Sequence, residues 1–126
     1  MNRRILLVED NPHNIRLVEQ LVEEWDESAD LLKAESGEAA LNLARDHSFD
    51  LVLMDISLPD MDGIDVTRAL KAYPHAADIP YIVVTAHAMR SDEELFRSIF
   101  DDYISKPIDD EAFFHKLSRW MGGEPQ

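Results

Sequence analysis

Three uninterrupted apolar runs stand out along the chain: Ile5-Leu6-Leu7-Val8, Leu51-Val52-Leu53-Met54 and Tyr81-Ile82-Val83-Val84. A strand with one face in water alternates apolar and polar side chains, so runs without alternation predict strands covered on both faces, as in a parallel sheet. The runs are followed by Glu9-Asp10, Asp55 and Thr85. Weaker strand patterns occupy 30–34 and 102–105. The intervening segments have helical spacing. Ile15, Val18, Val22 and Trp25 share one face, as do Phe113, Leu117, Trp120 and Met121 near the end. Ala40, Leu41 and Ala44 mark a second helix, Val66, Leu70 and Tyr73 a third, and Leu95, Phe96 and Ile99 a fourth.

The boundaries carry their own signals. Asn11-Pro12 reads as an N-cap followed by proline at the first helical position. Ser36 opens the second helix, Ser91 with Glu94 forms a capping box for the fourth, and Asp109 caps the last. The P-D-M-D-G stretch at 59–63 is a loop leading into the third helix, and Pro74 and Pro80 punctuate the approach to the fourth strand. This alternation predicts an α/β fold: a doubly wound, five-stranded parallel sheet with five helices and strand order 2-1-3-4-5. The expected domain covers 1–122, with 123–126 a short polar tail. Met1, placed where the first strand must begin, fits a complete natural chain.

Composition narrows the function. The 126 residues are 45% apolar, enough for one domain with its own core. The absence of cysteine excludes thiol chemistry and fits a reducing compartment. With 26 acids against 12 bases the formal charge is −14, which argues against nucleic acid and anionic membrane as partners. No apolar run approaches the ~20 residues of a membrane-spanning helix, and the amino terminus lacks a signal-peptide core. A cytoplasmic domain without nucleic-acid or membrane partners is expected.

In an open α/β sheet the functional crevice lies beyond the carboxyl ends of the strands, where strand order reverses. With order 2-1-3-4-5 that point separates strands one and three, which end in Glu9-Asp10 and Asp55. Acids near strand ends also arise by chance in so acidic a chain, and each alone reads first as a solvated loop charge. The other strand ends change the balance. Strand four ends at Thr85-Ala86, a hydroxyl beside a small residue, and strand five at Lys106-Pro107, a cation where the acids need one. Crowded carboxylates with oxygen-only donors suit a hard divalent cation such as Mg²⁺. Acids, hydroxyl and lysine together form a metal–phosphoryl site with Asp55 as the natural nucleophile.

The chain resembles the receiver domains of two-component response regulators. The resemblance runs through L-L-V-E-D-N at 6–11, L-M-D-I-S-L-P-D-M-D-G at 53–63, V-T-A at 84–86 and Y-I-S-K-P-I at 103–108. It implies that Asp55 is the phosphoacceptor. It further implies that Glu9, Asp10, Asp55 and the backbone carbonyl of Ser57 hold Mg²⁺, with Mn²⁺ able to substitute. Thr85 and Lys106 match the phosphate-contacting hydroxyl and cation, Tyr103 matches the aromatic that turns inward on activation, and the Lys106-Pro107 bond matches one that is usually cis. Ser57 and His87 match positions that tune how fast phosphate is gained and lost; His87 reads equally as an exposed loop histidine. The implied partners are a histidine kinase or histidine phosphotransfer protein, and a downstream protein at the face of the fourth helix, fifth strand and fifth helix. A receiver would phosphorylate and slowly dephosphorylate itself without being an enzyme in the ordinary sense.

One departure from the family pattern concerns that output face. Receivers carry a small residue plus glycine before the fifth strand, where this chain has Arg97-Ser98-Ile99-Phe100-Asp101. Losing the glycine removes an easy left-handed helix stop and leaves the local geometry open; Phe100 is expected to fill core. The layout resembles stand-alone receivers, the alternatives being a receiver cut from a hybrid histidine kinase or a phosphorylation-independent interaction module. An aspartyl-phosphate hydrolase of the haloacid dehalogenase type needs a D-x-D pair after the first strand, and here position 57 is serine and the acceptor follows strand three. A flavin carrier needs a hydroxyl- and glycine-rich loop where Glu9-Asp10 stand.

Overall fold

The computed structural model describes residues 3–56, 58, 60, 62–86 and 97–122. Five parallel strands, β1 (Arg4–Val8), β2 (Asp30–Ala34), β3 (Leu51–Asp55), β4 (Tyr81–Thr85) and β5 (Asp102–Ser105), form one sheet in the order β2-β1-β3-β4-β5. Helices α1 (Pro12–Trp25), α2 (Gly37–Asp46) and α3 (Gly63–Lys71) connect the first four strands in turn, and a C-terminal helix (Asp110–Met121) follows β5. Residues 97–99 are helical; the expected cap at Ser91 and Glu94, with Leu95 and Phe96, lies outside the described residues.

The uninterrupted apolar runs divide between two cores. Ile5, Leu7, Leu51, Leu53, Ile82 and Val84 pack with α1 and the C-terminal helix, burying Val18, Val22, Trp25, Phe113 and Leu117. The alternate residues Leu6, Val8, Val52, Met54, Tyr81 and Val83 pack on the other face with Ala40, Ala44, Val66 and Leu70. Successive side chains of a strand point to opposite faces, so a strand covered on both sides has no position left for a polar residue. The edge strands β2 and β5 are only partly buried, which explains their mixed composition.

The expected caps form. The Asn11 side chain accepts from the His13 and Asn14 amides, Ser36 Oγ from Ala39, and Asp109 from Ala112. Gly122, at φ 71°, ends the C-terminal helix in the left-handed conformation. Before β5 no such residue is used. Among the described residues no non-glycine has positive φ. The Lys71 ammonium instead donates to the Ile99 carbonyl where the helical turn ends. Asp101 then locks onto Tyr81 twice, its amide donating to the Tyr81 carbonyl and its carboxylate accepting from the Tyr81 amide, both at 2.8 Å. Phe100 is buried as core. The glycine of the family pattern is thus replaced by a lysine cap and an aspartate clamp.

Candidate functional site

The register brings four strand ends side by side. Val8 pairs with Met54, which sets Glu9 next to Asp55. Asp55 pairs with Val84, so Thr85 follows at the next position, and Thr85 in turn pairs with Ser105. The Lys106 amide donates to the Thr85 carbonyl at 2.9 Å, carrying the exit of β5 toward the same mouth.

Carboxylate oxygens of Glu9, Asp10 and Asp55 lie within 4.8 Å of one another. The two members of the acidic pair differ sharply. Glu9 is still held in the sheet, its amide donating to the Ala34 carbonyl at 2.9 Å, and only 2% of it is exposed. Asp10 begins the loop to α1 and is exposed. Asp55 is buried. The Lys106 ammonium stands 3.2 Å from Glu9 Oε1 and 3.5 Å from Asp55 Oδ1.

Burial pushes the Glu9 carboxyl up, and the hydrogen bond to Asp55 and that neighbour's charge push it further. The Asn11 amide, donating to Glu9 Oε2 at 3.2 Å, and the Lys106 charge pull the other way without cancelling the rise. Three carboxyl groups thus meet at one mouth, with the Lys106 ammonium beside two of them. An all-oxygen donor set of this kind fits a hard divalent cation, which commonly takes one or two carboxylates and keeps several waters.

Thr85 is buried at the end of β4. Tyr103 is the large hydrophobic residue that stands out as exposed among the described residues, at 41%, and the Lys116 ammonium lies 4.8 Å from its ring centroid. Lys116 is held there by Asp102, whose carboxylate accepts from Lys116 Nζ at 2.6 Å and from the Trp120 indole at 2.7 Å. The Lys106-Pro107 bond is cis. Ser57 and His87, expected to modulate the site, lie outside the described residues.

Two residues of the 53–63 motif have roles in the site that the motif itself does not assign. Gly63 packs under the backbone after β3, where a β-carbon would stand 2.6 Å from the Asp55 carbonyl oxygen. Asp60, within the loop after β3, accepts hydrogen bonds from the Gly37 and Glu38 amides at the start of α2.

The family model for the response regulator receiver domain matches residues 5–118. The chain belongs to the response-regulator receiver family. This receiver is 41% identical over 123 residues to the polar-differentiation response regulator DivK of Brucella ovis, covering 97% of this chain and 98% of DivK. It is 39% identical over 123 residues to the sensor protein GacS of Pseudomonas syringae, covering 94% of this chain and 13% of GacS, so it spans a small part of that longer relative. It superposes with a TM-score of 0.86 on the receiver domain of a sensor histidine kinase from Pseudomonas aeruginosa, with 31% identity over 98% of this chain and 100% of the other. That structure has a magnesium ion coordinated in its active-site cleft. A receiver is a phosphoacceptor signalling switch rather than a conventional enzyme. No helix among the described residues is long and apolar enough to cross a membrane.

Proposed function

We propose that Asp55 is the phosphoacceptor of this receiver and that Glu9, Asp10, Asp55 and the Ser57 carbonyl hold Mg²⁺, or Mn²⁺ in its place. The observation that carries the reading is the Lys106 ammonium, 3.2 Å from Glu9 and 3.5 Å from Asp55 beside a third carboxylate. When bound, the cation supplies positive charge that offsets the crowded carboxylates and the incoming phosphoryl oxygens.

An Asp55 carboxylate oxygen attacks the phosphorus of a phosphohistidine on a histidine kinase or phosphotransfer protein. The O–P bond forms as the N–P bond breaks, and the departing imidazole nitrogen keeps the electron pair and takes a proton from solvent. Lys106 shifts from the carboxylates to a phosphoryl oxygen as a flexible point charge, and the Thr85 hydroxyl donates to another. Thr85 and Tyr103 stand two positions apart along the β4–β5 ladder, where Tyr103 pairs with Val83 and Thr85 with Ser105. Movement of Thr85 toward the phosphoryl group lets the exposed Tyr103 ring turn inward, which changes the surface offered to a downstream protein by residues 97–99, β5 and the C-terminal helix. Self-phosphorylation by small donors and slow hydrolysis follow from the same groups, with Ser57 and His87 setting the rates. The chemistry serves a stand-alone cytoplasmic receiver and one carried by a hybrid sensor kinase alike, and similarity to DivK and to GacS supports both layouts.

The test is phosphotransfer from a radiolabelled phosphohistidine domain. Label should move to the wild-type chain in Mg²⁺ and stay on the donor with Asp55→Asn; transfer to Asp55→Asn at the wild-type rate would reject the assignment.

A further inference from the structure

The loop that leaves Asp55 is tied to a helix from a different part of the chain. Asp60 Oδ1 accepts from the Gly37 amide at 2.9 Å and Asp60 Oδ2 from the Glu38 amide at 3.1 Å. The next amide of α2, that of Ala39, is taken at 3.1 Å by Ser36 Oγ. A helix's first amides have no partner within the helix, and its amino end carries partial positive charge. A carboxylate spanning two of them makes charge-assisted hydrogen bonds, stronger than neutral ones. Ser36 alone would supply a local cap. Asp60 adds a link across a sequence separation of 23 residues.

The far end of the same loop is also held. Gly63 donates to the Ile56 carbonyl at 3.2 Å, and Asp62 caps α3 by accepting from the Ile64 amide at 2.8 Å. Ile56 and Leu58 pack against the α2–α3 core. Among the described residues that follow Asp55, Ile56 and Leu58 are held by packing, Asp62 and Gly63 at the start of α3, and Asp60 at the start of α2. We infer that Asp60 is a positioning residue for the metal site: its carboxylate fastens the loop after Asp55 to the amino end of α2, so that the site is ordered before the cation arrives. Without that fastening, ordering the loop is charged against binding. The inference rests on reading the Glu9–Asp10–Asp55 cluster as a divalent-cation site.

Isothermal titration of Mg²⁺ into the full chain, with thermal melts in its absence, tests this in wild type, Asp60→Ala, Asp60→Asn and Ser36→Ala. Asp60→Ala and Ser36→Ala should both lower the metal-free melting temperature, since each uncaps α2. Only Asp60→Ala should weaken Mg²⁺ binding substantially, by about tenfold, or ~1.4 kcal/mol. Asp60→Asn keeps one acceptor oxygen but turns an N–H toward the second amide, so it should lose an intermediate part of the affinity, and it supplies the reading if the alanine variant does not fold. Unchanged affinity in Asp60→Ala or an equal loss in Ser36→Ala would each overturn the positioning role, as would wild-type affinity in Asp60→Asn where the alanine variant does not fold. No Mg²⁺ binding by the wild type would instead remove the cation site itself.

Discussion

Gly63 lies directly beneath Asp55: a β-carbon at position 63 would stand 2.6 Å from the Asp55 carbonyl oxygen and 2.8 Å from the Ile56 Cα. Both neighbours are backbone, so neither can rotate away. Glycine to alanine within a helix ordinarily stabilises by roughly 0.5–1 kcal/mol. Here the sign should reverse. Gly63→Ala is expected to lose about 1–3 kcal/mol, as overpacked sites do, measured by urea unfolding. It should also weaken Mg²⁺ binding, because the displaced backbone belongs to Asp55.

Asp102 predicts an acid-sensitive link between β5 and the C-terminal helix. Burial raises its carboxyl, but the Lys116 ammonium, the Trp120 indole N–H and the Tyr103 amide more than offset that and hold it below the ordinary aspartate value of 3.8. A carboxyl depressed on folding stabilises fully above its unfolded value, and the contribution disappears as pH falls through the folded value. Wild type should therefore lose stability relative to Asp102→Asn as pH drops below 3.8. At neutral pH the variant should be the weaker by on the order of 2 kcal/mol, the scale of hydrogen bonds to a charged group. Urea melts across that range check both ends.

Asp10 should matter to the cation rather than to the fold. Asp10 is exposed, so Asp10→Asn is expected to change metal-free stability by no more than about 0.5 kcal/mol. The rise in melting temperature on adding Mg²⁺ should shrink, since a ligand stabilises only in proportion to its affinity for the folded state. Paired thermal melts with Mg²⁺ and with EDTA read both effects.

Thr85 and Tyr103 test the switch. Thr85→Ala keeps the nucleophile and the acids and should still accept phosphate. In wild type the Tyr103 ring resonances should move on binding the phosphoryl mimic BeF₃⁻, and in Thr85→Ala they should stay near their free positions. The expected difference corresponds to a coupling typically of about 1–3 kcal/mol. An equal BeF₃⁻-induced movement in both proteins would separate the ring from the hydroxyl.

What the chain disclosed followed burial. The β1, β3 and β4 runs were legible because both faces are covered, while Asp30–Ala34 and Asp102–Ser105 read weakly because edge strands mix polar and apolar residues. Asn11, Ser36 and Asp109 were legible as caps because a capping side chain meets amides close by in sequence. Asp60 and Lys71 perform related tasks across separations of 23 and 28 residues, and no spacing pattern encodes such contacts. The convergence of Glu9, Asp10 and Asp55 followed from strand order alone, but not which member of the acidic pair is buried; that depends on Glu9 being held by Ala34 at the end of the sheet. Trp120 read as a packing residue, and its indole also serves the Asp102 cluster.

The most direct measurement is intact-mass spectrometry after incubation with acetyl phosphate, on wild type and Asp55→Asn, with Mg²⁺ and with EDTA. Asp55 is buried beside Glu9 and within reach of Lys106, so the expected result is a single added phosphoryl group on wild type in Mg²⁺. EDTA and Asp55→Asn should each abolish it. Undiminished labelling of Asp55→Asn, or of wild type in EDTA, would contradict Asp55 as a metal-dependent phosphoacceptor.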